Sequence, residues 1–102
     1  MMVNLVQYTV KAEYAAQNQE NIRRVTKELR ALERTDLKYS VFVGEDGKSF
    51  NHLLICENEE ARKVFVELGA FKAFQAQLME SGPEVAPKAN KLSLVGSSAE
   101  LL

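Results

Sequence analysis

The chain has no tryptophan, one cysteine (Cys56), one histidine (His52) and two prolines among its 102 residues. A single cysteine excludes an intramolecular disulfide, and one cysteine with one histidine cannot form a zinc site of the usual ligand types. No stretch of about 18 apolar residues is present to cross a membrane. Residues 1–13 lack the basic segment, apolar run and cleavage site of a signal peptide. We therefore expect a cytoplasmic protein that does not contact the membrane.

Charge of one sign is not in excess either. The formal net charge is -1 and the isoelectric point is about 5.9, which predicts no long-range attraction to nucleic acid. Gly44 and Gly47 do not have phosphate-binding spacing, and Glu57 to Glu60 is typical of a helix start rather than a metal site. The composition, with 46% hydrophobic and 26% charged residues, indicates an ordinary globular domain. We interpret residues 1–102 as one domain, with residues 97–102 unassigned.

The segment from Leu37 to Glu57 predicts a β-hairpin. Asp46-Gly47 separates two apolar runs, a pattern typical of a two-residue turn in which Glu45 pairs with Lys48. That turn predicts the facing pairs along one side of the hairpin: Val43 with Phe50, Val41 with His52, Tyr39 with Leu54, and Leu37 with Cys56. This side is apolar apart from His52.

Helical spacing occurs twice. From Tyr14 to about Glu33 an apolar stripe predicts an amphipathic helix; it consists of Ala15, Ile22, Val25, Leu29 and Leu32. A second helical region begins after Asn58, a suitable cap, and is interrupted near Gly69. Gly82-Pro83 ends it. We expect both helical regions to cover a sheet.

Two further strands complete the pattern. Val3 to Lys11 alternates and predicts a first strand, whereas residues 83–89 read as a loop followed by a short last strand from Lys91 to Val95. The order βαββαβ predicts an α+β, ferredoxin-like fold: a four-stranded antiparallel sheet with the helices on one face. Val6, Tyr8 and Val10 would join the apolar hairpin side beneath the helices.

The opposite sheet face carries Phe42, Leu53 and Ile55 among polar residues. Left open, such a patch favours association. We expect a two-fold homodimer that packs sheet face on sheet face. The alternative is a monomer whose open face carries scattered apolar residues.

Several segments resemble one known family. AFKAFQAQL (Ala70–Leu78), with the ending LSLVGS (Leu92–Ser97), is similar to the antibiotic biosynthesis monooxygenase-like family of dimeric α/β barrels. The opening VQYTVKAE and the segment SFNHLLICENEEA (Ser49–Ala61) also fit. The resemblance implies a homodimer with a barrel built from two sheets, and in each subunit a small apolar cleft between sheet and helices.

The family includes cofactor-free oxygenases of aromatic polyketides, haem-degrading enzymes and many proteins without an assigned activity. Many active members have a histidine just before the phenylalanine that Phe71 matches, where this chain has Ala70. Haem-degrading members use that histidine as iron ligand and also a tryptophan, and this chain has neither. Haem degradation is therefore not expected, and we predict no cofactor.

His52 is the candidate catalytic base, because an imidazole kept neutral by apolar neighbours can accept a phenolic proton. Tyr8 and Tyr39 are candidates to orient a polar oxygen of the substrate, and Phe71 to form an aromatic wall. The alternative for His52 is a hydrogen-bonded core histidine, and for the other three residues packing alone. Cys56 fits a buried, unreactive thiol better than a nucleophile.

Three functions remain open at this point. The first is a cofactor-free monooxygenase-like enzyme acting on a small aromatic or phenolic substrate in the cleft. The second is a binding protein that holds a small apolar ligand there without turnover. The third is a structural dimer whose cleft is filled by side chains.

Overall fold

The computed structural model describes residues 1–102. They form one four-stranded sheet with helices on one face. In chain order the elements are β1 (Met2–Thr9), a 3-10 turn (Ala12–Tyr14), α1 (Ala15–Ala31), β2 (Leu37–Val43), β3 (Ser49–Cys56), α2 (Glu59–Val66), α3 (Gly69–Ser81) and β4 (Val85–Leu92). The strand order is β2-β3-β1-β4, and every neighbouring pair is antiparallel. The ferredoxin-like α+β fold predicted above is confirmed.

The register of the central hairpin is as predicted, but its turn is longer. Val43 pairs with Phe50 and Val41 with His52, yet Glu45 does not pair with Lys48. The loop has four residues and is closed by the Gly44 N–H, which donates to the Ser49 carbonyl at 2.8 Å. Gly47 has a left-handed φ of 74°, and the Asp46 carboxylate accepts from the N–H groups of Lys48 and Ser49. The predicted two-residue turn and the observed four-residue loop are both centred between Asp46 and Gly47, so the strands pair in the same register.

The last strand lies earlier than predicted. β4 covers Val85–Leu92 rather than Lys91 to Val95, and it includes Pro87. β4 is an edge strand, with a neighbouring strand on one side only. A proline, which has no backbone N–H, is tolerated there because one side of the strand needs no hydrogen bonds to another strand. Between the pairs Gln7–Lys88 and Thr9–Val85 the register shifts by one residue, which is a β-bulge beside Pro87.

The second helical region is two helices, α2 and α3. Asn58 caps α2 as predicted, since its side chain accepts from the Ala61 N–H at 3.0 Å. The predicted interruption near Gly69 is confirmed, because α2 ends at Val66 and α3 begins at Gly69. Its first N–H groups are capped from α1, because the Glu28 carboxylate accepts from Gly69 at 3.2 Å and from Ala70 at 2.8 Å. This contact ties α3 to α1 and positions the helical layer over the sheet. None of these helices combines the length and the apolar composition that a membrane-spanning segment needs.

The core lies between the sheet and the helices. Tyr8, Val10, Phe50 and Cys56 of the sheet side are all buried, as are Ile22 and Val25 of α1. On the opposite face Phe42 is 61% exposed, but Ile55 is only 8% exposed, contrary to the expectation that it would be open. Ile55 is flanked in the sheet by Val3 and Lys38, which reduces its access to solvent. The exposed apolar surface of this face is therefore smaller than the sequence suggested.

Candidate functional site

A cleft of about 660 Å³ lies between the sheet and helices α2 and α3. Its lining is mostly apolar and aromatic, while three charged side chains border it: Glu59 and Arg62 of α2 and Lys91 of β4. This volume is enough for a small organic ligand. The expectation of a cleft completely filled by side chains does not match this geometry. All four residues proposed from the sequence line it: Tyr8, Tyr39, His52 and Phe71.

His52 lies at the base of the cleft, on the sheet, and is hydrogen-bonded at both ring nitrogens. Its Nε2 is 2.7 Å from the Tyr8 hydroxyl of β1, and its Nδ1 is 2.6 Å from the Tyr39 hydroxyl of β2. A neutral imidazole donates from one nitrogen and accepts at the other, so one of these hydroxyls donates to the ring and the other accepts. The three residues form a short chain along which a proton can move.

Burial controls the protonation of this chain. His52 is 5% exposed, and removal from water lowers the pKa of its imidazole from 6.5 to about 4. Burial raises the pKa values of Tyr8 and Tyr39 well above that of an exposed phenol. At neutral pH all three groups are therefore uncharged, and a proton taken up here stays on His52 only if a negative charge lies nearby.

Aromatic rings form one wall of the cleft. The ring of Phe71 is 4.5 Å from that of Phe65 and 5.9 Å from that of Phe74, measured between centroids. Phe65 in turn contacts Tyr39 at 4.7 Å, and Phe74 contacts His52 at 5.3 Å. These tilted or offset pairs present ring faces and edges to a flat aromatic ligand. Phe71 thus reaches the His52 chain through Phe65 and Phe74 rather than directly.

The sequence interpretation missed Asn18 of α1. Asn18 is 0% exposed and its Nδ2 donates to the Tyr8 hydroxyl at 2.8 Å. The residue occupies a position in the apolar stripe of α1, between Ala15 and Ile22. A polar residue at such a position was the available signal, because a buried amide normally has a specific partner.

The remaining reactive groups do not form a second site. Cys56 is a free, buried thiol whose pKa is raised by burial, as expected for a structural cysteine. No cluster of three or more histidine, cysteine, aspartate or glutamate side chains is arranged to hold a metal ion. The cytoplasmic location inferred from the single cysteine stays a prediction.

Comparison with known proteins identifies structures that have the same fold. No protein-family sequence model matches the chain, and no curated protein sequence matches it. Solved structures do match over nearly the whole length. One is an antibiotic biosynthesis monooxygenase with a TM-score of 0.79 and 15% identity, covering 94% of this chain and 100% of its own.

Two further structures agree with the first. A candidate antibiotic biosynthesis monooxygenase from Nitrosomonas europaea has a TM-score of 0.77 and 11% identity, covering 94% of this chain and 100% of its own. SnoaB, a cofactor-independent oxygenase from Streptomyces nogalater, has a TM-score of 0.71 and 10% identity, covering 97% of each chain. The resemblance to the antibiotic biosynthesis monooxygenase fold is therefore confirmed. Identities this low establish the fold alone.

Proposed function

We propose that this protein is a cofactor-free oxygenase that acts on a small phenolic or hydroquinone-like substrate in the cleft. The observation that carries the proposal is the neutral, buried His52, hydrogen-bonded by two tyrosine hydroxyls at the base of an aromatic cleft. The similarity in fold to a cofactor-independent oxygenase supports it. A base, a dry cleft and hydrogen-bond donors are what such an enzyme supplies, because the deprotonated substrate itself reduces dioxygen.

The base acts through Tyr39. The substrate hydroxyl gives its proton to the Tyr39 oxygen while the proton of Tyr39 moves to Nδ1 of His52, 2.6 Å away. This transfer requires the tautomer in which the ring proton of neutral His52 is on Nε2. The resulting imidazolium and phenolate form an ion pair, which offsets part of the burial cost that lowers the pKa of His52.

Dioxygen is the oxidant. The phenolate gives electrons to dioxygen, a carbon–oxygen bond forms at a ring carbon, and the oxygen–oxygen bond then breaks. One oxygen atom remains on the ring as a carbonyl and the other leaves as water, with the hydrogens lost from the hydroxyl and the ring carbon. A phenol and dioxygen thus give a quinone and water, and the substrate supplies all the electrons. Phe65, Phe71 and Phe74 hold the ring flat against the wall.

Oxygen consumption with a panel of polycyclic phenols and hydroquinones tests the proposal. We expect the wild-type protein to consume one dioxygen per quinone formed, without added metal, flavin or reductant. His52→Ala should reduce the rate by about 10²-fold or more, since it removes the proton acceptor. Circular dichroism checks that the variant is folded.

Glu20→Ala is the matched control for that experiment, because Glu20 is exposed on α1 and does not line the cleft. It should consume oxygen at the wild-type rate. An oxygen uptake that is the same in folded His52→Ala and in wild type would reject His52 as the base. Absence of uptake over the whole panel would reject the oxygenase.

A ligand-binding protein without turnover is the second candidate. Both nitrogens of His52 already have protein partners, an arrangement also found in purely structural histidines. In that case an aromatic ligand raises the melting temperature of the protein but is recovered unchanged. Recovery of unaltered ligand after incubation in air separates this function from the first.

We also propose that two copies pack through their open sheet faces. Phe42 is 61% exposed on this face. Polar residues lie beside it, and Gln7 donates to Asn51 at 2.7 Å. Covering Phe42 and Leu92 by a second copy removes apolar surface from water. The pairing gives the two-sheet barrel implied by the family resemblance.

Native mass spectrometry measures the stoichiometry. The 11.5 kDa chain should appear at about 23 kDa as a dimer. Phe42→Asp should shift the protein to the monomer, because a carboxylate would be buried without a partner. Met79→Asp is the control, since Met79 is also 61% exposed but lies on α3, and it should stay dimeric. A monomeric wild type would contradict the dimer.

A further inference from the structure

Asn18, which is hydrogen-bonded to Tyr8, has a buried oxygen atom without a partner. Its Nδ2 donates to the Tyr8 hydroxyl, but its Oδ1 is the only buried side-chain oxygen or nitrogen in the protein without a hydrogen-bond partner. Buried polar atoms are nearly always paired, so an unpaired one in a hydrogen-bond chain indicates a state in which it is used. The chain runs from Asn18 through Tyr8 and His52 to Tyr39.

The Asn18 amide sets the direction of this chain. The Tyr8 hydroxyl accepts from Asn18, so its own hydrogen needs an acceptor, and Nε2 of His52 is within 2.7 Å. A neutral imidazole that accepts at Nε2 carries its proton on Nδ1. Nδ1–H then donates to the Tyr39 oxygen at 2.6 Å. Tyr39 makes no other side-chain hydrogen bond, so in this resting direction its hydroxyl hydrogen has no protein acceptor.

A protonated His52 needs the opposite direction. Both ring nitrogens then donate, so Tyr8 must accept from Nε2–H and its hydroxyl hydrogen loses its acceptor. A half-turn of the Asn18 amide would place Oδ1 where Nδ2 now lies, 2.8 Å from the Tyr8 oxygen, and Oδ1 would accept that hydrogen. The oxygen that is unpaired at rest is therefore the acceptor that protonated His52 requires. The neutral tautomer with its proton on Nε2 requires the same acceptor, so reversal of the amide allows the resting Nδ1–H form to change to the form in which Nδ1 accepts from Tyr39.

We propose that Asn18 is a positioning residue that selects the tautomer of His52 through Tyr8 and, by reversing its amide, allows His52 to take up the substrate proton. Its part in turnover rests on the proposed function, whereas the tautomer is a property of the free protein. The groups facing the ring are Tyr8 of β1, Tyr39 of β2 and Phe74 of α3. The charged groups that line the same cleft are Glu59, Arg62 and Lys91.

Long-range proton–nitrogen correlation spectra of the imidazole test the tautomer directly. His52 is the only histidine, so the spectrum contains the signals of one ring. At neutral pH the wild-type protein should show a protonated Nδ1 and an unprotonated Nε2. The reverse assignment overturns the proposal without any variant.

Asn18→Leu tests the role of the amide, because leucine has a similar volume and no hydrogen-bonding group. The Tyr8 hydroxyl then has no fixed direction, and the two nitrogens should give averaged signals of both tautomers. Asn21→Leu is the matched control: Asn21 is 4% exposed on the same helix, but its amide bonds Tyr14 and Gln77. It should keep the wild-type tautomer.

A folded Asn18→Leu variant with the wild-type tautomer, or an equal change in Asn21→Leu, overturns the inference. Asn18→Ala serves if the leucine variant does not fold. With a substrate in hand, Asn18→Leu should lower kcat roughly tenfold with a smaller change in KM, as expected for one misdirected hydrogen bond. An unchanged kcat removes Asn18 from turnover. Absence of oxygen uptake in wild type rejects the oxygenase while the tautomer result still stands.

Discussion

Lowering the pH from about 7.5 to about 5 is expected to reduce the free energy of unfolding by about 2 kcal/mol, with His52 as the main source. In the folded protein burial lowers the pKa of His52 from 6.5 to about 4. Above about pH 6.5 neither state binds a proton at this ring, so the contribution to stability is fully present. As the pH falls below about 6.5, His52 binds a proton in the unfolded chain but not in the folded protein, so stability decreases until about pH 4.

Urea denaturation at a series of pH values measures this loss, and His52→Gln identifies its source. Glutamine stays neutral at every pH and can still bond to the tyrosine hydroxyls, so the pH dependence between about 7.5 and about 5 should become nearly flat. The carboxylates of Asp36, Asp46 and Glu59 have lowered pKa values because of hydrogen bonds to Arg34, Ser49 and Arg62, and they act at lower pH. An equally steep dependence in His52→Gln would contradict the assignment.

Tyr39→Phe is expected to reduce kcat by about 10²-fold and to change KM little, the size of a lost general acid–base contact. The substitution deletes only the hydroxyl that is hydrogen-bonded to Nδ1 of His52, in a residue that lines the cleft. The ring of Tyr39 keeps its 4.7 Å contact with Phe65, so the aromatic wall is retained. Steady-state oxygen uptake separates the effect on kcat from the effect on KM.

Tyr14→Phe is the matched control for this variant. Tyr14 also makes one side-chain hydrogen bond, to Asn21 at 3.3 Å, but it does not line the cleft. Its loss should leave kcat unchanged. Equal rates for Tyr39→Phe and Tyr14→Phe would show that no proton passes through Tyr39.

The hairpin register follows from the sequence alone because it depends on local chemistry. Asp46 and Gly47 provide the side-chain acceptor and the positive φ of the turn, and the alternating residues on either side follow from that centre. The same local pattern puts His52 alone among apolar neighbours. His52 was therefore identifiable as the residue of interest before any tertiary contact was known.

The sequence predicts the last strand too late in the chain, because the position of β4 depends on its hydrogen bonds with β1 and not on its own composition. β4 is exposed along most of its length and contains Pro87, so it has no hydrophobic alternation to mark it. Its pairing with β1, through the bulge opposite Tyr8, decides where it lies. The more apolar segment from Lys91 to Val95 has the alternation typical of a strand, but only Lys91 and Leu92 pair with β1.

The ferredoxin-like fold and the hairpin register follow from turn chemistry and from periodicity within single elements, and the same periodicity puts Tyr8, Tyr39 and His52 on the apolar side of the sheet. The cleft itself, with Phe71 in its wall, was implied by the family resemblance. The hydrogen bonds of Tyr8 and Tyr39 to the two nitrogens of His52, and that of Asn18 to Tyr8, were known only from the tertiary structure. Those contacts join three strands and a helix. They depend on which strands are neighbours and, for Asn18, on how α1 packs across the sheet, to within the length of a hydrogen bond. No periodicity in the sequence encodes a distance of that kind.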